Sequence, residues 1–173
     1  MFSSLFGAKK DVLEVAEAAL KARDWKYSRM NERTILTGCR AGAASLLIVI
    51  KNEPGKRALL VMGNAIVGNT DPLASLSAGS LPLLRVHSGA GHSAQQVAKA
   101  CDHLLRRNYE FAVGAFERDP SDGEIRFRIG LPYRDGMPTE EQIEWCIAST
   151  LDAMSNLLRE FGDITKPSQG MEI

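Results

Sequence analysis

The chain carries 173 residues, 45% of them hydrophobic, which is one domain's worth of material with enough apolar content for a sizeable core, and this excludes a wholly disordered protein. Its 21 basic residues balance 21 acidic ones, so a general polyanion-binding role gets no support and nucleic acid is not an expected partner. No apolar run approaches the ~20 residues that span a bilayer, the first residues lack the basic region of a signal peptide, and three widely spaced cysteines, Cys39, Cys101 and Cys146, fit reduced thiols in a cytoplasmic protein without a membrane partner.

In chain order, residues 1–9 read as a flexible start that carries Phe2, Leu5 and Phe6. A helix is predicted over 10–23, with Asp11 and Glu14 in capping-box spacing and Leu13, Ala16 and Leu20 on one face; Trp25 and Tyr27 then close the end of the core. Strands are predicted over 34–39, 45–50 and 57–62. The run Leu46-Leu47-Ile48-Val49-Ile50 marks the middle one as deeply buried, and Pro54-Gly55 turns it into a hairpin with the third. Residues 64–91 form a long connection whose only charges are Asp71 and Arg85. Within it, Asp71-Pro72 is a short helical start and 83–87 a short strand.

A second helix is predicted over 93–107, capped by Ser93 and Gln96, with Val97, Cys101, Leu104 and Leu105 on its apolar face and Asn108-Tyr109 ending it with a tucked ring. A second hairpin pairs 111–119 with 124–133 around Pro120-Ser121-Asp122-Gly123. Strict alternation from Ile125 to Tyr133 sets its register, Phe116 opposite Phe127 and Glu117 opposite Arg126. The third helix opens at Thr139 with Gln142 and runs a stripe of Ile143, Ile147, Thr150, Leu151, Met154, Leu157, Leu158 and Phe161 to a stop at Gly162. Residues 163–173 form a flexible tail. The order α-β-β-β-α-β-β-α with short turns predicts a single α+β domain over 10–162, its sheet mainly antiparallel and its helices chiefly on one face.

The block Leu105-Arg106-Arg107-Asn108-Tyr109, Gly114-Ala115-Phe116-Glu117-Arg118-Asp119, Asp122-Gly123-Glu124-Ile125-Arg126-Phe127-Arg128 and Pro138-Thr139, together with Asp24-Trp25 after the first helix, resembles the YbjN family, a bacterial group labelled sensory transduction regulators. The resemblance covers most of 10–162 and is densest over 104–161. It implies a fold similar to type III secretion chaperones, which often work as dimers that hold other proteins.

Chemistry-bearing patterns are weak. Gly89-Ala90-Gly91-His92-Ser93-Ala94 has glycine-fingerprint spacing without the βαβ setting that a dinucleotide needs, so no cofactor is expected. His87, His92 and His103 lie near Cys101 and Asp102. His92 and His103 would stand about 16 Å apart on a straight helix, which opposes a metal site. Glu140-Glu141 suit a helix's first turn better than acid–base work. Arg126 and Arg128, with Arg118 nearby, either meet an acidic partner or are balanced by Glu117 and Glu124 on a solvated face. Trp145 points with Ser149, Asp152 and Asn156, away from the apolar stripe of its helix.

These features predict a non-enzymatic protein-interaction module, homodimeric and chaperone-like or regulatory, with no catalytic, cofactor or metal residues. Trp145, the leucines Leu73, Leu76, Leu81 and Leu83 of the uncharged connection, and the pair Arg126 and Arg128 are its candidate partner-binding residues. The alternative is a small-ligand sensor in which 64–91 closes a pocket between sheet and helix. A hydrolase is a third reading, without an identified nucleophile–base pair.

Overall fold

The computed structural model describes residues 11–41, 44–66, 73, 83–86, 91–133 and 136–164. Helix α1 (Val12–Ala22) begins at the capping box of Asp11 and Glu14 and buries Val12, Leu13, Val15, Ala16, Ala19 and Leu20. Its exit is a Schellman turn. Asp24 takes a left-handed φ of 53°, its amide donates to the Lys21 carbonyl, and the Trp25 amide donates to the Leu20 carbonyl. Strands β1 (Tyr27–Asn31), β2 (Thr34–Ala41), β3 (Ala44–Glu53) and β4 (Ala58–Ile66) then form a meander. Helix α2 (Ala94–Asn108) leads to β5 (Ala115–Arg118) and β6 (Ile125–Pro132), and α3 (Glu140–Ile164) follows.

The six strands lie in the order β1-β2-β3-β4-β6-β5, each pair antiparallel. This is the α+β arrangement that the element order predicts. Alternate side chains divide the sheet. Ile35, Ile48, Ile50, Val61, Phe127 and Ile129 turn to the helices, where they join the apolar faces of α1, α2 and α3 in one core. Leu36, Leu47 and Ile66 turn to the other side and pack with Val49, Leu73 and Leu83. Helix α3 crosses the sheet at Gly63, where an added β-carbon would lie 2.5 Å from Thr150 Cγ2 and 3.0 Å from Met154 Cγ. The predicted hairpin register is present, Phe116 opposite Phe127 and Glu117 opposite Arg126. The rings of Phe111, Phe116 and Phe127 meet edge to face at centroid distances of 4.9 to 5.6 Å.

Several details differ from the sequence expectation. A strand, β1, stands where only the end of the first helical unit was expected; four of its five side chains are exposed, so no apolar alternation announces it. Strand β5 starts at Ala115 rather than at residue 111, because Gly114 bends the chain at φ +88° and passes against Phe127 and Ile129. Residues 83–86 are not a regular strand. Leu83 pairs with Ile66 and Arg85 with Glu124, filling the gap where β4 and β6 part. Helix α3 continues through Gly162 to Ile164, since buried Phe161 anchors its last turn and an interior glycine costs only about 1 kcal/mol.

Helix α2 is rotated from the predicted face. Ala100 and Leu104 are its buried residues, Cys101 is half-buried, and Leu105 is exposed. The rotation brings His103, expected to face solvent, to 2.9 Å from Glu160 on α3, with Arg107 Nε 3.5 Å from the same carboxylate. Tyr109 is exposed rather than tucked, and it is Asn108 that turns inward. The Asp71-Pro72 helical start and residues 1–9 and 165–173 lie outside the described residues.

Candidate binding sites

Trp145 occupies the outer side of α3, 53% exposed, with exposed Glu141, Ala148 and Asp152 around it and half-buried Ser149 one turn on. Its direction is the one that helical phase predicts. Helix α3 is held from both flanks. Glu144 pairs with Arg23 at the end of α1, while Glu160 takes His103 and Arg107 from α2. The indole therefore stands on a braced scaffold. Further large apolar groups remain exposed along α2 and after it, at Leu105, Tyr109 and Val113.

Of the other sequence candidates, the described ones, Leu73, Leu83, Arg126 and Arg128, lie across the sheet from Trp145. Leu73 and Leu83 are half-buried and pack on Leu36, Leu47 and Ile66. Leu76 and Leu81 lie outside the described residues. Arg126 and Arg128 project beside each other from β6, and both engage Glu117 on β5. Arg126 Nε donates to Glu117 Oε2 at 3.0 Å and Arg128 Nε to Oε1 at 2.6 Å. Burial alone would push the Glu117 carboxyl up, but hydrogen bonds from Arg128 and Arg126 bring it below the ordinary carboxylate value. Glu124 does not complete this pairing; it accepts from Asn64 Nδ2 at 2.7 Å. Arg118 is turned elsewhere, its Nε donating to the Val86 carbonyl at 2.8 Å. The arginine pair shares one carboxylate and so keeps a net positive charge on one layer, while Trp145 is an apolar projection on the other, so the fold does not unite them.

Sequence reasoning missed a cavity of about 380 Å³ between α3, the α1–β1 turn and strands β2 and β3. It is lined by Asp24, Trp25, Lys26, Thr37, Gly38, Cys39, Ile48, Ile147 and Leu151. Thr37, Ile48 and Ile147 are buried, Trp25 and Leu151 half-buried, and Asp24, Lys26 and Cys39 exposed. The Schellman turn places this wall, since left-handed Asp24 redirects the chain so that Trp25 follows the helix end back onto the core. Thr37 Oγ1 donates to the Lys26 carbonyl at 2.7 Å, which ties the turn to β2. Burial pushes the Cys39 thiol up from its ordinary value. The one sequence signal for this cavity is a Trp immediately after a helix end.

Among the described residues, no three His, Cys, Asp or Glu side chains converge as a metal site would require. His87 is outside those residues. The glycine fingerprint leads into a helix whose first turn closes on itself: the Gln96 amide donates to Ser93 Oγ at 3.2 Å and the Ser93 amide to Gln96 Oε1 at 2.8 Å. That helix leads into β5, which pairs antiparallel with β6, so the βαβ setting is missing. No described helix is long and apolar enough to cross a membrane. No family model, curated protein or solved structure matches this chain.

Proposed function

We propose that this chain is a non-enzymatic protein-interaction module of the YbjN kind it resembles, cytoplasmic and homodimeric, with a chaperone-like or regulatory role. The observation that carries the reading is Trp145, half-exposed on the braced outer side of α3 with acidic residues at its rim. Tryptophan is prominent among residues that dominate interface energy. Burying the exposed half of an indole, on the order of 100 Å² at about 25 cal/mol per Å², yields roughly 2.5 kcal/mol. Leu105 and Tyr109 add exposed apolar area to the same helical layer. The arginine pair, already occupied by Glu117, is secondary to this surface.

Light scattering coupled to size exclusion, run on the full chain across a concentration series, tests the reading. The expected result is a mass of two chains that falls to one on dilution, with Trp145→Ala weakening association by about tenfold or more, the equivalent of ~1.4 kcal/mol. A chain that stays monomeric at every concentration, or a dimer indifferent to Trp145→Ala, overturns it.

A further inference from the structure

We propose that the cavity beside Trp25 is a binding site for a small uncharged aromatic molecule, held without a covalent bond. The space is a cleft open to solvent at one side, and its volume of about 380 Å³ falls in the ~300–1,000 Å³ range of small-molecule sites. Its base is apolar, with Ile48 and Ile147 buried and Leu151 half-buried against the core. Its one buried hydroxyl, on Thr37, already donates its proton to the Lys26 carbonyl and has only acceptor lone pairs left. A ligand with many polar groups at the base would therefore lose hydration there with little replacement.

The mouth gives no net attraction to an ion of either sign. It carries one acid, Asp24, and one base, Lys26, both exposed, so their fields oppose each other. Trp25 supplies an aromatic wall, which favours an aromatic guest through offset or edge contacts. Cys39 lies at the same mouth, and partial desolvation raises its thiol pKa rather than lowering it, so nothing in the site activates the sulfur for covalent attack. The guest is thus held by packing. The site takes nothing from Trp145 or from the proposed dimer, so the two readings stand or fall separately.

N-phenyl-1-naphthylamine, a neutral fluorophore that brightens in apolar surroundings, is a suitable probe for the full chain. Saturable binding of one probe per chain is expected, weakened about tenfold or more by Cys39→Trp, which fills the mouth from an exposed strand position. On the unaltered chain, saturating probe should slow N-ethylmaleimide alkylation of Cys39 severalfold, read by peptide mass spectrometry, and leave the rate at Cys101 unchanged. This second measurement decides the matter if Cys39→Trp perturbs folding. Non-saturable probe uptake, full affinity in a folded Cys39→Trp variant, or alkylation of Cys39 at an undiminished rate overturns the proposal.

Discussion

Gly63 and Thr150 show how a single atom sets the spacing of two layers. The β-carbon that any other residue would bring at 63 stands 2.5 Å from Thr150 Cγ2, far inside van der Waals contact. Thr150 sits at 0% exposure on the helix above, so it has no free space to retreat into. Gly63→Ala is therefore expected to cost about 2–3 kcal/mol through overpacking, despite alanine's modest size. Thr150→Ser removes the offending methyl and keeps the hydroxyl, so the pair should couple. Urea denaturation of the two single variants and the double variant is expected to give an interaction energy above ~1 kcal/mol. Additive effects would show that the sheet and α3 accommodate the methyl by a shift elsewhere.

Asn108 does for two elements what Gly63 does for two layers. It ends α2, yet its side chain donates to the Phe116 carbonyl at 3.0 Å and accepts from the Phe116 amide at 2.6 Å, on the edge strand β5. An open strand edge offers unpaired backbone groups to other chains, and here a side-chain amide occupies them. Asn108→Ala is expected to cost about 1–2 kcal/mol and to speed hydrogen exchange at the Phe116 amide; unchanged exchange there would show that the contact is not maintained in solution. This linkage also marks the limit of what the sequence discloses. The β6 alternation, the hairpin register and all three helix N-termini are legible, because each is encoded by neighbours within a few positions. Strand β1 is not, because an edge strand with exposed Ser28, Arg29, Met30 and Asn31 needs no apolar period. The phase of α2 is not, because Ala100 and Leu104 form the buried stripe and so small a residue as Ala100 does not mark a face in the sequence, while His103 and Arg107 beside it reach Glu160 on another helix. At the sites, the direction of Trp145 follows from helical phase. The cavity joins Trp25, Thr37, Ile48 and Ile147 from four separate elements or turns, a convergence that no local pattern announces.

For the molecule as a whole, ionisable groups bound its stability from both sides of neutrality. On the acid side, Glu117 is held below its ordinary value by Arg128 and Arg126 against the opposing effect of burial, Glu53 is lowered by Lys51, and Asp119 by hydrogen bonds from Ser121. A carboxylate with a lower pKa in the folded state binds its proton first in the unfolded chain. Its contribution is therefore complete above the ordinary value near 4.5 and is lost as the pH falls through the folded one. On the alkaline side, burial pushes the Cys146 thiol from 9.0 up to about 11 and also raises Cys39, and Tyr133 is raised chiefly by burial. For these groups the neutral form is favoured in the folded state, so the unfolded chain loses protons first and stability declines as the pH climbs from 9 toward 11. These groups should accordingly lower the melting temperature as the pH falls below about 5 and as it rises above about 8.5. Glu117→Gln should make the acid limb shallower and leave the alkaline limb alone, and Cys146→Ala should do the reverse, whatever each substitution does to the height of the plateau. Thermal melts of the two variants across that range separate the contributions. An acid limb of undiminished slope in Glu117→Gln would mean that the clamp from β6 to the sheet edge does not form in solution, leaving Arg126 and Arg128 free to meet an acidic partner.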